Sequence, residues 1–156
     1  MRILLTGSSG SIGSKVLKSL EKYKCHILAH YHSNCPKIKN KKISYVNTKN
    51  LIKKDFKIIQ EFKPEIVIHL AAIGLISSGK TKLNIMNCNF NFTKSLINNL
   101  INSSVKNFYF ASTAKIYQYS SSKINEKSKI KPLSKLNTYE KSKLMIEKYV
   151  QKNQNN

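Results

Sequence analysis

The run Arg2-Ile3-Leu4-Leu5-Thr6 stops at Gly7, and glycines recur at Gly10 and Gly13 before helical spacing begins. A buried strand that runs through such a turn straight into a helix leaves few folds open. It sets free backbone amides at a helix N-terminus, where they face an anion. Gly7 suits the tight turn, Gly10 lets backbone approach a phosphate, and Gly13 lets the helix pack on its sheet. Gly7, Ser9, Gly10, Ser11, Ile12 and Gly13 are therefore the expected contacts of a dinucleotide pyrophosphate. The plain alternative is a Gly/Ser-rich turn that holds no ligand.

The remainder of the chain alternates in the same way. Residues 11–23 carry Ile12, Val16, Leu17 and Leu20 at helical spacing, and residues 25–31 read as a second strand. Residues 43–47 are a weaker third strand, and residues 50–62 form a helix that Pro64 terminates. The β-branched run at 65–70 is a buried strand, residues 82–102 are mostly helical although rich in Asn, and residues 105–111 give a fifth strand. Asn137, with Glu140 three residues on, opens a last helix over 138–152 in a capping arrangement. No clear element stands out over 112–137, where Ser120-Ser121-Ser122 marks a loop. Nearly continuous apolar strands separated by helices predict an α/β fold with a parallel sheet buried on both faces. The expected organisation is one dinucleotide-binding domain over residues 1–152, then a polar tail over 153–156.

The 156 residues suffice for one domain with a real core. Lys and Arg number 28 against 7 Asp and Glu, a net charge of +21. That balance invites a nucleic-acid reading. Arg2 is the only arginine, however, and the lysines are spread along the whole chain. Phosphate and base recognition favours the arginine fork. With Asn and Ile also abundant, the charge reads as a coding bias, and nucleic acid is not the expected partner. Three cysteines, an odd number with no Cys-x-x-Cys pair, fit a reduced cytoplasmic compartment. Cys25, His26, His30, His32 and Cys35 match no zinc spacing, so no metal site is expected. The longest apolar stretch, Ile66 to Ile76, falls short of a bilayer span, and no signal peptide or membrane partner is expected.

Tyr139 and Lys143 lie four apart at the start of the last helix, hence on one face and about 6 Å apart along its axis. An ammonium beside a phenol favours the phenolate and makes Tyr usable as an acid or base near neutral pH. A chain this rich in Lys also produces such pairs by chance. Their meaning comes from company: Gly-x-x-Gly-x-x-Gly after Thr6, His69-Leu70-Ala71-Ala72 after the fourth strand, Asn89 on the following helix, and Ala111-Ser112-Thr113-Ala114-Lys115-Ile116-Tyr117-Gln118. Together these resemble the extended short-chain dehydrogenase/reductase group, the NAD-dependent epimerase/dehydratase family, over nearly the whole chain. The resemblance implies a Rossmann-type doubly wound parallel sheet and a nucleotide-sugar substrate. It implies Tyr139 as proton donor or acceptor, Lys143 as the group that lowers its pKa and binds the nicotinamide ribose, and Thr113 as the hydroxyl that orients the substrate oxygen. Leu70, Ala71, Ala72 and Asn89 are implied as cofactor contacts. A homodimer is left open.

Several positions depart from the family pattern. Tyr31 stands where NAD-binding relatives carry an acid for the ribose hydroxyls, and His32, Lys37 and Lys39 follow, which leans from NAD toward NADP. Asn47-Thr48 replaces the usual acidic residue beside adenine, and Gln118 replaces the usual Gly after Tyr117. Family members run to about twice this length, so the resemblance implies a chain truncated before its C-terminal substrate domain, with one sheet edge and an apolar face exposed. Three functions follow from these features. The first is nucleotide-sugar epimerase or dehydratase chemistry. The second is a non-catalytic dinucleotide-binding module, and the third a sugar-nucleotide reductase using NADPH.

Overall fold

The computed structural model describes residues 1–47, 53–74, 82–121 and 123–153. Thr48, the expected helix start at 50–52, Ile76, Ser122 and the end of the tail at 154–156 lie outside the described residues. The chain forms two compact units. One comprises Met1–Ala71 with Leu96–Ala111, the other Ala72–Ser95 with Ser112–Asn156.

The first unit holds a five-stranded sheet: β1 (Arg2–Thr6), β2 (His26–Tyr31), β3 (Ile43–Asn47), β4 (Ile66–His69) and β5 (Asn107–Phe110). Every pairing is parallel, in the order β3-β2-β1-β4-β5. That order is the doubly wound Rossmann type, and its topological switch lies between β1 and β4. Side chains alternate across the sheet with period two. Leu4, Leu28, Val46 and Val67 therefore point to one face, where Phe56 and Ile59 of α2 (Lys53–Phe62) and Leu96 and Leu100 of α4 (Phe92–Leu100) cover them. Ile3, Leu5, Ile27, Ala29 and Ile43 point to the other, beneath Leu17 of α1 (Ser11–Leu20). Over β1 and β2 both faces are covered, which explains why these strands read as unbroken apolar runs. β3 and β5 are the edge strands, and the second face opens toward β5, where Ile66 and Ile68 are half-buried and Tyr109 is 57% exposed.

Helix α1 stops at Leu20, short of the expected residue 23, because Tyr23 N–H turns back to the Leu20 carbonyl and Cys25 N–H to that of Tyr23. That turn drops the chain into β2.

In the second unit the expected helix over 82–102 is not one regular helix. α3 (Lys82–Met86) runs into a π-helical segment, Asn87–Asn91, which continues as α4. The segment expected to lack structure contains 3-10 turns at Ala114–Ile116 and Leu133–Lys135 and a bridge between Tyr117 and Ile130. These pieces are too short to leave a period in the sequence. Helix α5 spans Thr138–Lys152, and its expected cap is a complete capping box. Asn137 Oδ1 accepts Glu140 N–H at 2.9 Å, and Glu140 Oε2 accepts Asn137 N–H at 3.1 Å. The other carboxylate oxygen, Oε1, pairs with Lys131 Nζ at 3.3 Å, so the 5% exposed Glu140 is satisfied on both sides. No described helix is long and apolar enough to cross a membrane.

Asn137→Ala removes half of the box and should lower stability by about 1 kcal/mol, within the usual range for an N-cap. Urea denaturation of the two chains measures it; no change in midpoint would show that the Glu140–Lys131 pair holds this end alone.

Candidate functional site

The glycine turn begins where β1 ends. Gly7 has φ +69°, a conformation that side chains rarely adopt, and a Cβ there would lie 2.7 Å from Ala71 N and 2.9 Å from the Leu70 carbonyl carbon. Leu70 and Ala71 follow β4, so the turn and the segment after β4 touch backbone to backbone at the switch point. Thr6 secures that contact. Its Oγ1 accepts Ala71 N–H at 3.2 Å and lies 2.7 Å from His69 Nδ1, while its carbonyl accepts Leu70 N–H at 3.3 Å. The His69 ring packs 5.9 Å from both Phe108 and Phe110 of β5. Gly13 is equally constrained, since its Cβ would sit 2.0 Å from the Gly7 carbonyl oxygen. Gly10 N–H donates to that same oxygen at 3.0 Å.

On its other flank the turn is held by β2. Ser8, fully buried, donates both its N–H and its hydroxyl to the His30 carbonyl at 2.9 Å. Gly7 N–H points at His30 Nδ1 over a long 3.4 Å. Burial, then the neighbouring His32, lowers the His30 pKa to about 4, so its ring is neutral at physiological pH and can accept that bond. Neither role of His30 was legible in the sequence; a histidine inside an apolar strand was the only sign. Gly10 is the N-cap of α1 with no side-chain bond. The amides of Ser11, Ile12 and Gly13 are the first-turn donors that no intrahelical carbonyl can reach. Gly7, Ser9, Gly10, Ser11, Ile12, Gly13, Leu70 and Ala71 thus share one end of the sheet. Tyr31 and Asn47 join them at the ends of β2 and β3, paired in register, with Asn47 Nδ2 donating to the His32 carbonyl at 3.2 Å. A cradle of backbone donors closed to any Cβ at two glycines fits a pyrophosphate.

The second unit carries the other candidates. Lys143 is 3% exposed on α5, and its Nζ lies 5.7 Å from the centroid of the half-buried Tyr139 ring. Burial lowers the Lys143 pKa from 10.5 to about 8, so the ammonium still predominates at pH 7. Thr113 caps the 3-10 turn, with Oγ1 accepting Lys115 N–H at 3.3 Å, which leaves its hydroxyl hydrogen able to donate. Ile116 of this turn packs with Leu136 and Leu144, and Ser112 Oγ donates to Glu147, so the turn is fixed to α5.

Asn89 lies buried in the π segment. Its Oδ1 accepts Ile73 N–H at 2.9 Å, and its Nδ2 donates to the Ile73 carbonyl and to Ser142 Oγ at 3.1 Å each. Ser142 Oγ in turn donates to the Tyr139 carbonyl at 2.7 Å. Asn89 thus ties the chain after Ala72 to the turn of α5 that carries Tyr139 and Lys143. Extra helical residues of this kind recur at functional sites. Ser142, missed in the sequence, is the intermediary; only its place between Tyr139 and Lys143 hinted at it. Cys25 is buried while Cys35 and Cys88 are exposed, and among the described residues no three His, Cys, Asp or Glu side chains gather to hold a metal.

Two measurements check this geometry. Gly13→Ala forces a Cβ against the Gly7 carbonyl and should cost about 1–3 kcal/mol or unfold the turn; unchanged stability would mean that the turn has room. Lys143 gives a pH signature. With its folded pKa below its unfolded value, the unfolded chain binds more protons between about pH 8 and 10.5, so this group makes stability rise across that window. The shift corresponds to roughly 3 kcal/mol of penalty on the charged form at neutral pH. Lys143→Met should remove the rise, as read from denaturation midpoints at both ends of the window.

The fold agrees with that of known proteins. The model of the family described as NAD dependent epimerase/dehydratase matches residues 3–156. UDP-glucuronic acid 4-epimerase from Bacillus cereus, solved with UDP-glucuronic acid and NAD, superimposes with a TM-score of 0.83 at 25% identity, over 100% of this chain and 53% of that one. The UDP-Glc/GlcNAc 4-epimerase from Campylobacter jejuni gives 0.77 at 25% identity, over 97% and 48%. UDP-glucose-4-epimerase from Stenotrophomonas maltophila, solved with bound NAD and formylated UDP-arabinopyranose, gives 0.77 over 97% and 48%; at 19% identity it speaks to the fold alone. The chain spans about half the length of these proteins. No curated protein matches the sequence. The family match runs through both compact units, from the first strand to the end of the last helix, and the chain belongs to the NAD dependent epimerase/dehydratase family.

Proposed function

We propose that this chain carries the dinucleotide-binding and acid–base part of an NAD(P)-dependent nucleotide-sugar epimerase or dehydratase. The observation that carries the reading is the buried Lys143 ammonium one helical turn from the Tyr139 phenol. With the ammonium and the phenol on one helix face, Tyr139 can serve as proton acceptor and donor at a sugar hydroxyl or carbonyl. Thr113 contributes a hydroxyl to orient the same substrate oxygen. Gly7 to Gly13 and the α1 amides hold the pyrophosphate, with Leu70 and Ala71 beside them, and Ala72, next in the chain, is a further cofactor contact. Asn89 acts as a positioning residue through Ser142. A bound nicotinamide ring supplies hydride acceptance and return. The NAD and UDP-sugar complexes of the 25%-identical epimerase support the cofactor and substrate classes.

A non-catalytic dinucleotide-binding module is the second reading, favoured by the chain's spanning only about half of those proteins. Titration calorimetry with NAD(H) and NADP(H) tests what both readings share. Nicotinamide absorbance, followed while UDP-sugars are added to the loaded chain, separates them. If Tyr139 moves the proton, Tyr139→Phe should lower hydride exchange by roughly 10²–10⁴-fold and leave cofactor affinity within a few-fold. Equal rates in the two chains would remove Tyr139 from the chemistry, and cofactor binding with no exchange at all would support the module.

A further inference from the structure

We infer that the ribose end of the dinucleotide site selects a 2′-phosphorylated cofactor, NADP(H) over NAD(H), a deepening that rests on the dinucleotide reading proposed above. In a doubly wound sheet the residues after the second strand meet the adenosine ribose. A carboxylate there accepts the 2′-hydroxyl and repels a 2′-phosphate. In this chain β2 ends at Tyr31, followed by His32 and Ser33, and its register partner at the end of β3 is Asn47. No Asp or Glu occurs between Glu21 and Asp55. The group that selects NAD, an acid after β2, is therefore replaced by neutral or basic side chains.

This strand end belongs to the phosphate site. Ser8 of the glycine turn is fixed to the His30 carbonyl by two bonds, so Tyr31 and His32 follow directly from a residue that clamps the turn. The backbone of His32 is fixed in turn by the Asn47 side chain at 3.2 Å, and its Nδ1 meets Ser33 Oγ at 2.8 Å. His32 and Ser33 are exposed, and Tyr31 is half-buried with its ring edge-on to Tyr45 at 6.5 Å; imidazole, hydroxyl and phenol can each donate to a phosphate oxygen. Lys37, exposed on the following segment, adds positive potential. Lysines abound everywhere in this chain and discriminate little. The discriminating feature is the missing carboxylate, because it removes a repulsion that acts on the 2′-phosphate alone.

Calorimetry on the full chain with NADPH, NADH, 2′,5′-ADP and 5′-ADP tests the inference. NADPH should bind about tenfold or more tightly than NADH, and the bisphosphate fragment should show the same preference. Tyr31→Asp should lose NADPH affinity selectively and close or invert the gap. Circular dichroism checks that Tyr31→Asp folds as the parent chain does, and Tyr31→Glu repeats the measurement if it does not. NADH binding as tightly as NADPH overturns the inference while leaving the proposed function standing. Binding of neither dinucleotide overturns both, and an unchanged ratio in Tyr31→Asp overturns the role given to this strand end.

Discussion

The first unit is organised around one close backbone approach: the Gly7 carbonyl under Gly13, with Gly7 itself against Leu70 and Ala71. Two connections leave the sheet at its switch point, and there is no volume between them for a single Cβ. Everything that gives the turn its donors depends on this spacing. The first-turn amides of α1 point outward only because the helix begins directly above β1. The helix can begin there only because Gly13 lets it approach. Ser8 and Thr6 then fix the turn from either side, to β2 and to the segment after β4. Hydrogen-bonded side chains convert a steric allowance into a defined geometry.

The sheet itself was legible from the sequence because a parallel strand buried on both faces leaves an apolar run of limited length. β1 and β3 carry the bounds their residues suggested, and α5 starts where Asn137 and Glu140 indicated. The glycine turn was legible because it needs particular residues at particular distances along the chain. What escaped were contacts between residues far apart in sequence or elements too short to have a period. Asn89 and Ser142 are separated by 53 positions, and their bond gives no local sign. The π segment reads as ordinary helix because one extra residue alters the register without altering composition. His30 looked like an odd polar residue in a strand, and its neutral ring beside Gly7 emerges only with the fold.

Lys143 shows how the second unit holds an unfavourable group in place. Burial works against its charge, yet the helix around it is firmly anchored by the capping box, by Ile116 and Leu136 against Leu144, and by Asn89 through Ser142. Stability is drawn from ordinary packing and capping and is given up at one cation beside a phenol. Such an exchange suits the proton transfer proposed for Tyr139.

Arg2, the chain's single arginine, sits at the opposite end of the sheet from the glycine turn. Its Nε donates to the Lys63 carbonyl at 2.7 Å and its N–H to Glu65 at 2.9 Å. The one guanidinium available is thus committed to joining β1 to the entry of β4. The donors that the glycine turn presents are peptide groups, which do not depend on side-chain identity. A genome can drift toward lysine, asparagine and isoleucine across a whole surface without eroding such a site, provided that three glycines keep their places.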